Sequence, residues 1–146
     1  MTPGTLTPDD ILLLVADGAS GRFPLDPIRL MKGAFLAWKQ GPDEWSKLFD
    51  FVAYDYGPFD SSVYRSRDDL IRRGLLGAAR QGRYDRYWVT PAGEQRVAQL
   101  NQTISKEVVD FLHQVGAYVT SRSFADLLRE IYATFPSFAE RSVFNQ

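Results

Sequence analysis

Apolar residues recur along the chain with two alternating periods, and polar punctuation separates them cleanly. Thr7-Pro8-Asp9-Asp10 precedes the apolar run ILLLVA at residues 11–16. Thr7 can cap a helix there, Pro8 suits a first turn whose N–H groups lack partners, and the carboxylates favour the positive end of the helix dipole. This first helix is predicted to stop at Gly18. A polar loop follows, then a short extended piece at Phe23 to Leu25, and then Asp26-Pro27 as a second cap-plus-proline start. Ile28, Met31, Phe35 and Trp38 lie at helical spacing behind it, so that stripe is core, and Gly41-Pro42 ends the helix. Trp45, in the loop that follows, reads as a plug over the core.

LFDFVAYDY at residues 48–56 alternates in part and predicts a strand or an extended buried segment. Gly57-Pro58 is read as the turn into a third helix, with Asp60 or Ser61 as its cap, Tyr54, Tyr56 and Phe59 as core-facing or semi-buried anchors, and Gly74 as its stop. Val63, Leu70 and Ile71 form its inner side, with Tyr64 beside them. Leu75 to Arg80 and Tyr84 to Val89 then predict a hairpin turning at Gln81-Gly82-Arg83, and Thr90-Pro91 opens a fourth helix.

Helix, short strand, two helices, hairpin, helix is the order of a winged helix-turn-helix. The expected class is therefore α+β, mainly helical, with residues 1–100 as a winged-helix domain. Residues 101–146 form a helical extension, packed on that domain or forming a dimer interface. Val97, Leu100, Ile104, Val108, Leu112, Val115 and Val119 recur every three or four residues, as one long helix or as two broken near Thr103 or Ser105. Ser123 caps a further helix that Pro136 stops, and a last turn follows through Phe138 and Phe144.

Composition narrows the chemistry. The chain of 146 residues has no cysteine and one histidine, His113. Disulfides, thiolate nucleophiles, sulfur-bound zinc and sites of several imidazoles are thereby excluded. His113 sits inside the apolar repeat and reads as a packing residue. No apolar run approaches a membrane span, and MTPGTLTPDD carries carboxylates where a secretion signal would carry positive charge, so the expected compartment is the cytoplasm. Asp9-Asp10 and Asp68-Asp69 are neighbours on helices, splayed about 100° apart, and neither makes a two-carboxylate site. The glycine-rich stretch at residues 18–22 lacks the phosphate-loop pattern. No metal, cofactor or catalytic residue is expected.

Net charge is -1, so attraction to nucleic acid must be local. It is uneven: residues 61–90 hold Arg65, Arg67, Arg72, Arg73, Arg80, Arg83 and Arg86 against Asp68, Asp69 and Asp85. Short hydrogen-bonding side chains and arginines on an outer helix face suit base edges and phosphates. The candidate recognition face is Ser61, Ser62, Arg65, Ser66, Arg72 and Arg73, and the candidate wing contacts are Arg80, Arg83 and Arg86. The expected partner is double-stranded DNA and the expected role transcriptional regulation. The competing reading pairs these arginines with Asp68, Asp69 and Asp85 in a solvated network. A second function class is a protein-binding module, for which the wing aromatics Tyr84, Tyr87 and Trp88 are candidates; alternation puts Tyr84 and Trp88 on one face and Tyr87 on the other.

Three stretches carry a resemblance. Leu25-Asp26-Pro27-Ile28 leads into a helix with Met31-Lys32 and Phe35-Leu36; residues 51–60 end in Tyr-Gly-Pro-Phe-Asp; and Leu70-Ile71-Arg72-Arg73-Gly74-Leu75-Leu76 closes the third helix. Phe124-Ala125-Asp126-Leu127-Leu128, with Ile131-Tyr132 and Phe135-Pro136, follows the same pattern near the end. The chain thus resembles the YwgA-like family of small bacterial winged-helix proteins and, more loosely, the antitoxin-like Panacea group. The resemblance implies the fold and two roles, a regulator or an antitoxin-like partner of a toxin or defence component, and implies no catalytic residue.

Overall fold

A computed structural model describes residues 5–144. Of the stretch MTPGTLTPDD, on which the reading against a secretion signal rests, residues 1–4 lie outside them. The described chain is α+β and mainly helical. It runs α1 (Pro8–Gly18), α2 (Pro27–Gln40), a 3-10 turn (Asp43–Lys47), β1 (Val52–Tyr54), β2 (Gly57–Phe59), α3 (Ser61–Arg72), β3 (Leu76–Gln81), β4 (Tyr84–Val89), α4 (Pro91–Thr103), α5 (Lys106–Ser121), α6 (Phe124–Thr134) and a 3-10 turn (Pro136–Ala139). Both sheets are antiparallel pairs, β1 with β2 and β3 with β4.

Local chemistry sets most of these boundaries. Thr7 and Asp10 form a reciprocal capping box, and Asp26 and Thr90 cap α2 and α4, each with proline in the first turn. The apolar run in α1 leaves no wet face: Ile11 to Ala16 are all buried. A helix hydrophobic all round must be covered on every side, and α2, α3, α4, α5 and β4 surround this one. The closest cover is α5. A Cβ on Gly116 would stand 2.0 Å from the Val15 carbonyl oxygen, and one on Gly18 would stand 2.2 Å from that of His113. The two backbones can approach this closely only because both positions lack a side chain. Leu112, Val115 and Val119 consequently share one buried cluster with Ile11 to Ala16.

The apolar repeat over residues 91–120 breaks into two helices. Ile104 is extended (φ -99°, ψ 142°) and Ser105 caps α5 through its side chain. Phe23 to Leu25 is not a strand. It is irregular, but the Leu25 carbonyl accepts from Tyr87 N at 2.8 Å and Phe23 N donates to the Thr120 carbonyl at 2.9 Å, so its backbone groups are satisfied by β4 and α5.

The stretch around Gly57-Pro58 also departs from expectation. It is not the turn into α3 but strand β2, and the register Tyr54↔Gly57 leaves Asp55-Tyr56 as the tight turn. Gly57 follows it with φ +91°, a left-handed conformation that favours glycine. Tyr54 and Tyr56 are 44% and 47% exposed rather than core-facing. Gly57 and Pro58 are the buried part of the hairpin, so the two tyrosine rings stay at the surface and pack against neighbouring rings. Tyr54 stacks on Phe59 at 5.1 Å, and Tyr56 meets the Phe124 ring at 5.7 Å. Phe59 is half-buried, as expected. Trp45 is buried, with Phe111 its aromatic neighbour at 6.5 Å.

Candidate nucleic-acid interface

α3 is held rigidly at both ends. Asp60 accepts from Ser62 N at 2.8 Å as the N-cap, and its second oxygen accepts from Asp50 N at 2.6 Å. Gly74, at φ +76°, ends the helix: Gly74 N donates to the Ile71 carbonyl at 3.0 Å and Leu75 N to that of Leu70 at 2.9 Å, the paired bonds of a Schellman closure. The chain passes directly from this closure into β3. At the far end of the hairpin the register Gln81↔Tyr84 leaves a two-residue turn. Gly82, its first residue, takes φ +63°, the conformation a II′ turn asks of that position.

Arg67 ties the helix to the hairpin. Its guanidinium donates to Asp68 at 2.9 Å and to the Tyr87 hydroxyl at 3.1 Å, and lies 4.5 Å from the centroid of the Tyr64 ring. Tyr87 is buried, and burial raises its pKa although Arg67 opposes the shift. Of the three wing aromatics, Tyr87 is therefore removed from the candidate partner surface, because alternation turns it onto α3. Tyr84 and Trp88 stand on the outer face. Trp88 has structural work there: its indole covers the bare Gly77 opposite, where a Cβ would stand 2.3 Å from the ring.

Each predicted recognition residue has a definite place. Ser61, Arg65, Arg72 and Arg73 are exposed, while Ser62 and Ser66 are half-buried. Arg72 pairs with Asp69, and Arg73 reaches Asp9 at 3.3 Å and Asp69 at 3.7 Å. Arg73 thus bridges Asp9 and Asp69 across the α1–α3 seam. The Asp9 pKa is raised, by burial first and then by the neighbouring Asp69 carboxyl, against the pull of Ser66 and Arg73; the Asp69 pKa is lowered, by Asp9 first and then by Arg72 and Arg73. The C-terminal half of α3 thus carries the paired network of the competing reading, with Asp9 as an extra member.

The wing differs. Arg80, Arg83 and Arg86 are exposed, and among the described residues neither they nor Arg65 form an ion pair. Arg80 stands opposite Asp85 in register without pairing with it. Arg86 lies 4.9 Å over the Trp88 ring, which orients the guanidinium without neutralising it. Arg80 shares the Tyr87 face of the ribbon, Arg86 the Trp88 face, and Arg83 occupies the turn.

Sequence reasoning missed Arg67 as a strut and Asp9 as a counter-charge. The arginine count over residues 61–90 points to the region but carries no information on pairing. His113 is half-buried, with Nε2 at 2.8 Å from Asp17. Among the described residues no group of three or more His, Cys, Asp or Glu stands together as a metal site, and no helix is long and apolar enough to cross a membrane. No family model, no curated protein and no solved structure matches the chain.

Proposed function

We propose that the chain is a non-catalytic winged-helix protein that binds double-stranded DNA and regulates transcription. α3 serves as the recognition helix and the β3–β4 hairpin acts as the wing. The order α1, α2, α3 and β3–β4, with the β1–β2 hairpin inserted between α2 and α3, supports this reading, as does the resemblance to YwgA-like proteins. The observation that carries it is the set of exposed guanidiniums that, among the described residues, have no carboxylate partner and stand on one connected unit: Arg65 on α3 and Arg80, Arg83 and Arg86 on the β3–β4 hairpin. Unpaired arginines bind phosphate without first breaking an ion pair, and releasing counterions makes such binding salt-dependent. Fluorescence anisotropy with a labelled duplex of mixed sequence tests it. Binding at low salt that weakens steeply as salt rises is the expected result, and no binding at low salt would remove the reading.

A second reading, a protein-binding module of the antitoxin-like kind, is favoured by one specific feature. Ile28, Tyr56, Tyr84 and Phe124 line an open cleft of about 300 Å³ with Asp26, bringing exposed aromatics from both hairpins together. A stoichiometric protein partner co-purifying with the chain, and lost on Tyr84→Ala in a folded variant, would select this reading.

A further inference from the structure

Beneath the β1–β2 hairpin a cavity of about 200 Å³ opens between α2 and α3, walled by Ile28, Met31, Tyr54, Phe59 and Tyr64, with Lys32 among its lining residues. Lys32 is only 3% exposed. Its ammonium has three donors, and one goes to the Pro58 carbonyl at 3.1 Å. Among the described residues no carboxylate pairs with it. Holding Pro58 in place explains one donor, and a neutral side chain could do that. It does not explain an ionisable amine buried beside a cavity with two donors unassigned, an arrangement that is costly unless a counter-charge arrives.

We propose that this cavity binds a small monocarboxylate with a flat apolar body, its carboxylate on Lys32 and its ring against the aromatic wall. The lining favours this class over a phosphate. Apart from Lys32 it is mostly aromatic and aliphatic, and the other charged residue in it is Asp55, which repels a dianion. Tyr54 and Tyr56 from the hairpin and Tyr64 from α3 are the remaining titratable neighbours there. Arg67 lies on the Tyr64 ring, and Tyr132 of α6 packs on Gly57 with its hydroxyl donating to Ser142 at 2.6 Å. Burial lowers the Lys32 pKa to about 7. Below that value the amine meets the carboxylate already charged; above it, binding requires proton uptake, and affinity declines by up to about tenfold per pH unit. The site is separate from the proposed DNA contacts, and its test does not involve DNA. β2 runs straight into Asp60, so a ligand here would abut the start of α3.

The test is titration of the full chain with benzoate, followed by amide chemical shifts. Saturable shifts centred on Ile28, Lys32, Tyr56 and Gly57 are expected at about pH 6, with a dissociation constant more than tenfold higher at about pH 8.5. Lys32→Met should weaken benzoate at least tenfold at the lower pH with the amide spectrum elsewhere unchanged. Should that variant fail to fold, Ile28→Trp, which fills the cavity and keeps the amine, should abolish the shifts. Absence of saturable shifts up to about 10 mM overturns the proposal. So does benzamide binding as well as benzoate, phosphate binding in preference to benzoate, or affinity unchanged by Lys32→Met.

Discussion

α3 and the β3–β4 hairpin adjoin in sequence and both carry arginines, yet the two sets are in different electrostatic states. On α3, Arg67 serves as a strut to Tyr87, while Arg72 and Arg73 face Asp69 and Asp9. On the hairpin, Arg80, Arg83 and Arg86 have no such partner among the described residues. The reason is geometric. The C-terminal half of α3 lies against the first turn of α1, which supplies Asp9, whereas Arg80, Arg83 and Arg86 lie toward the exposed end of the hairpin, where among the described residues no carboxylate comes within ion-pairing distance. Formal charge is thus a poor guide to the charge available to a polyanion, and the distinction assigns the electrostatic part of the proposed DNA binding mainly to the β3–β4 hairpin.

The sharpest way to break this comparison is to remove the wing charges together. Replacing Arg80, Arg83 and Arg86 by alanine should flatten the slope of log affinity against log salt by roughly 2.7, three phosphate contacts at about 0.9 each. An unchanged slope in anisotropy titrations would place the phosphate contacts elsewhere. The reverse experiment frees charge on α3. Because Arg73 also reaches Asp9, replacing Asp9 and Asp69 together by asparagine should release Arg72 and Arg73 and steepen the slope by up to roughly 1.8, two contacts at the same value. A variant that binds DNA less tightly than the parent would show that the two carboxylates orient those arginines rather than occupying them.

Arg65 offers a smaller test, since it is the one exposed α3 arginine without an ion pair among the described residues. Arg65→Ala should cost about one contact, roughly 0.9 in slope. The smallest effect concerns the joint between the two regions. Tyr87→Phe deletes the acceptor of Arg67 without changing shape and should lower unfolding free energy by about 1 kcal/mol in urea denaturation. A loss several times larger would mean that the strut organises the whole hairpin.

Much of the scaffold behind this comparison can be read locally. Thr7-Pro8, Asp26-Pro27 and Thr90-Pro91 mark helix starts, Gly74 a helix end and Gly82 a hairpin turn, because each depends on a few adjacent residues. The pairings are another matter. Arg73 and Asp9 are 64 residues apart, and no local pattern in the chain brings them together. The irregular path of Phe23 to Leu25 escapes notice because its backbone bonds go to Thr120 and Tyr87 rather than to a neighbouring strand. Gly57-Pro58 misleads for a related reason: both residues usually signal a turn, and here the exposed Asp55-Tyr56 pair makes the turn while Gly57 and Pro58 are buried. Lys32 stands next to Met31 of the apolar stripe, and only the contact with Pro58 shows that its amine is enclosed. For the candidate interface, then, the residue types are legible and their state of neutralisation is not.

The central claim is that the wing, rather than the C-terminal half of α3, presents the free positive charge. The salt dependence of duplex binding, measured side by side for the Arg80/Arg83/Arg86 alanine triple and an Arg72/Arg73 alanine double, tests it most directly. The account predicts a slope flattened by roughly 2.7 in the triple and almost unchanged in the double; a double that loses as much slope as the triple would contradict it.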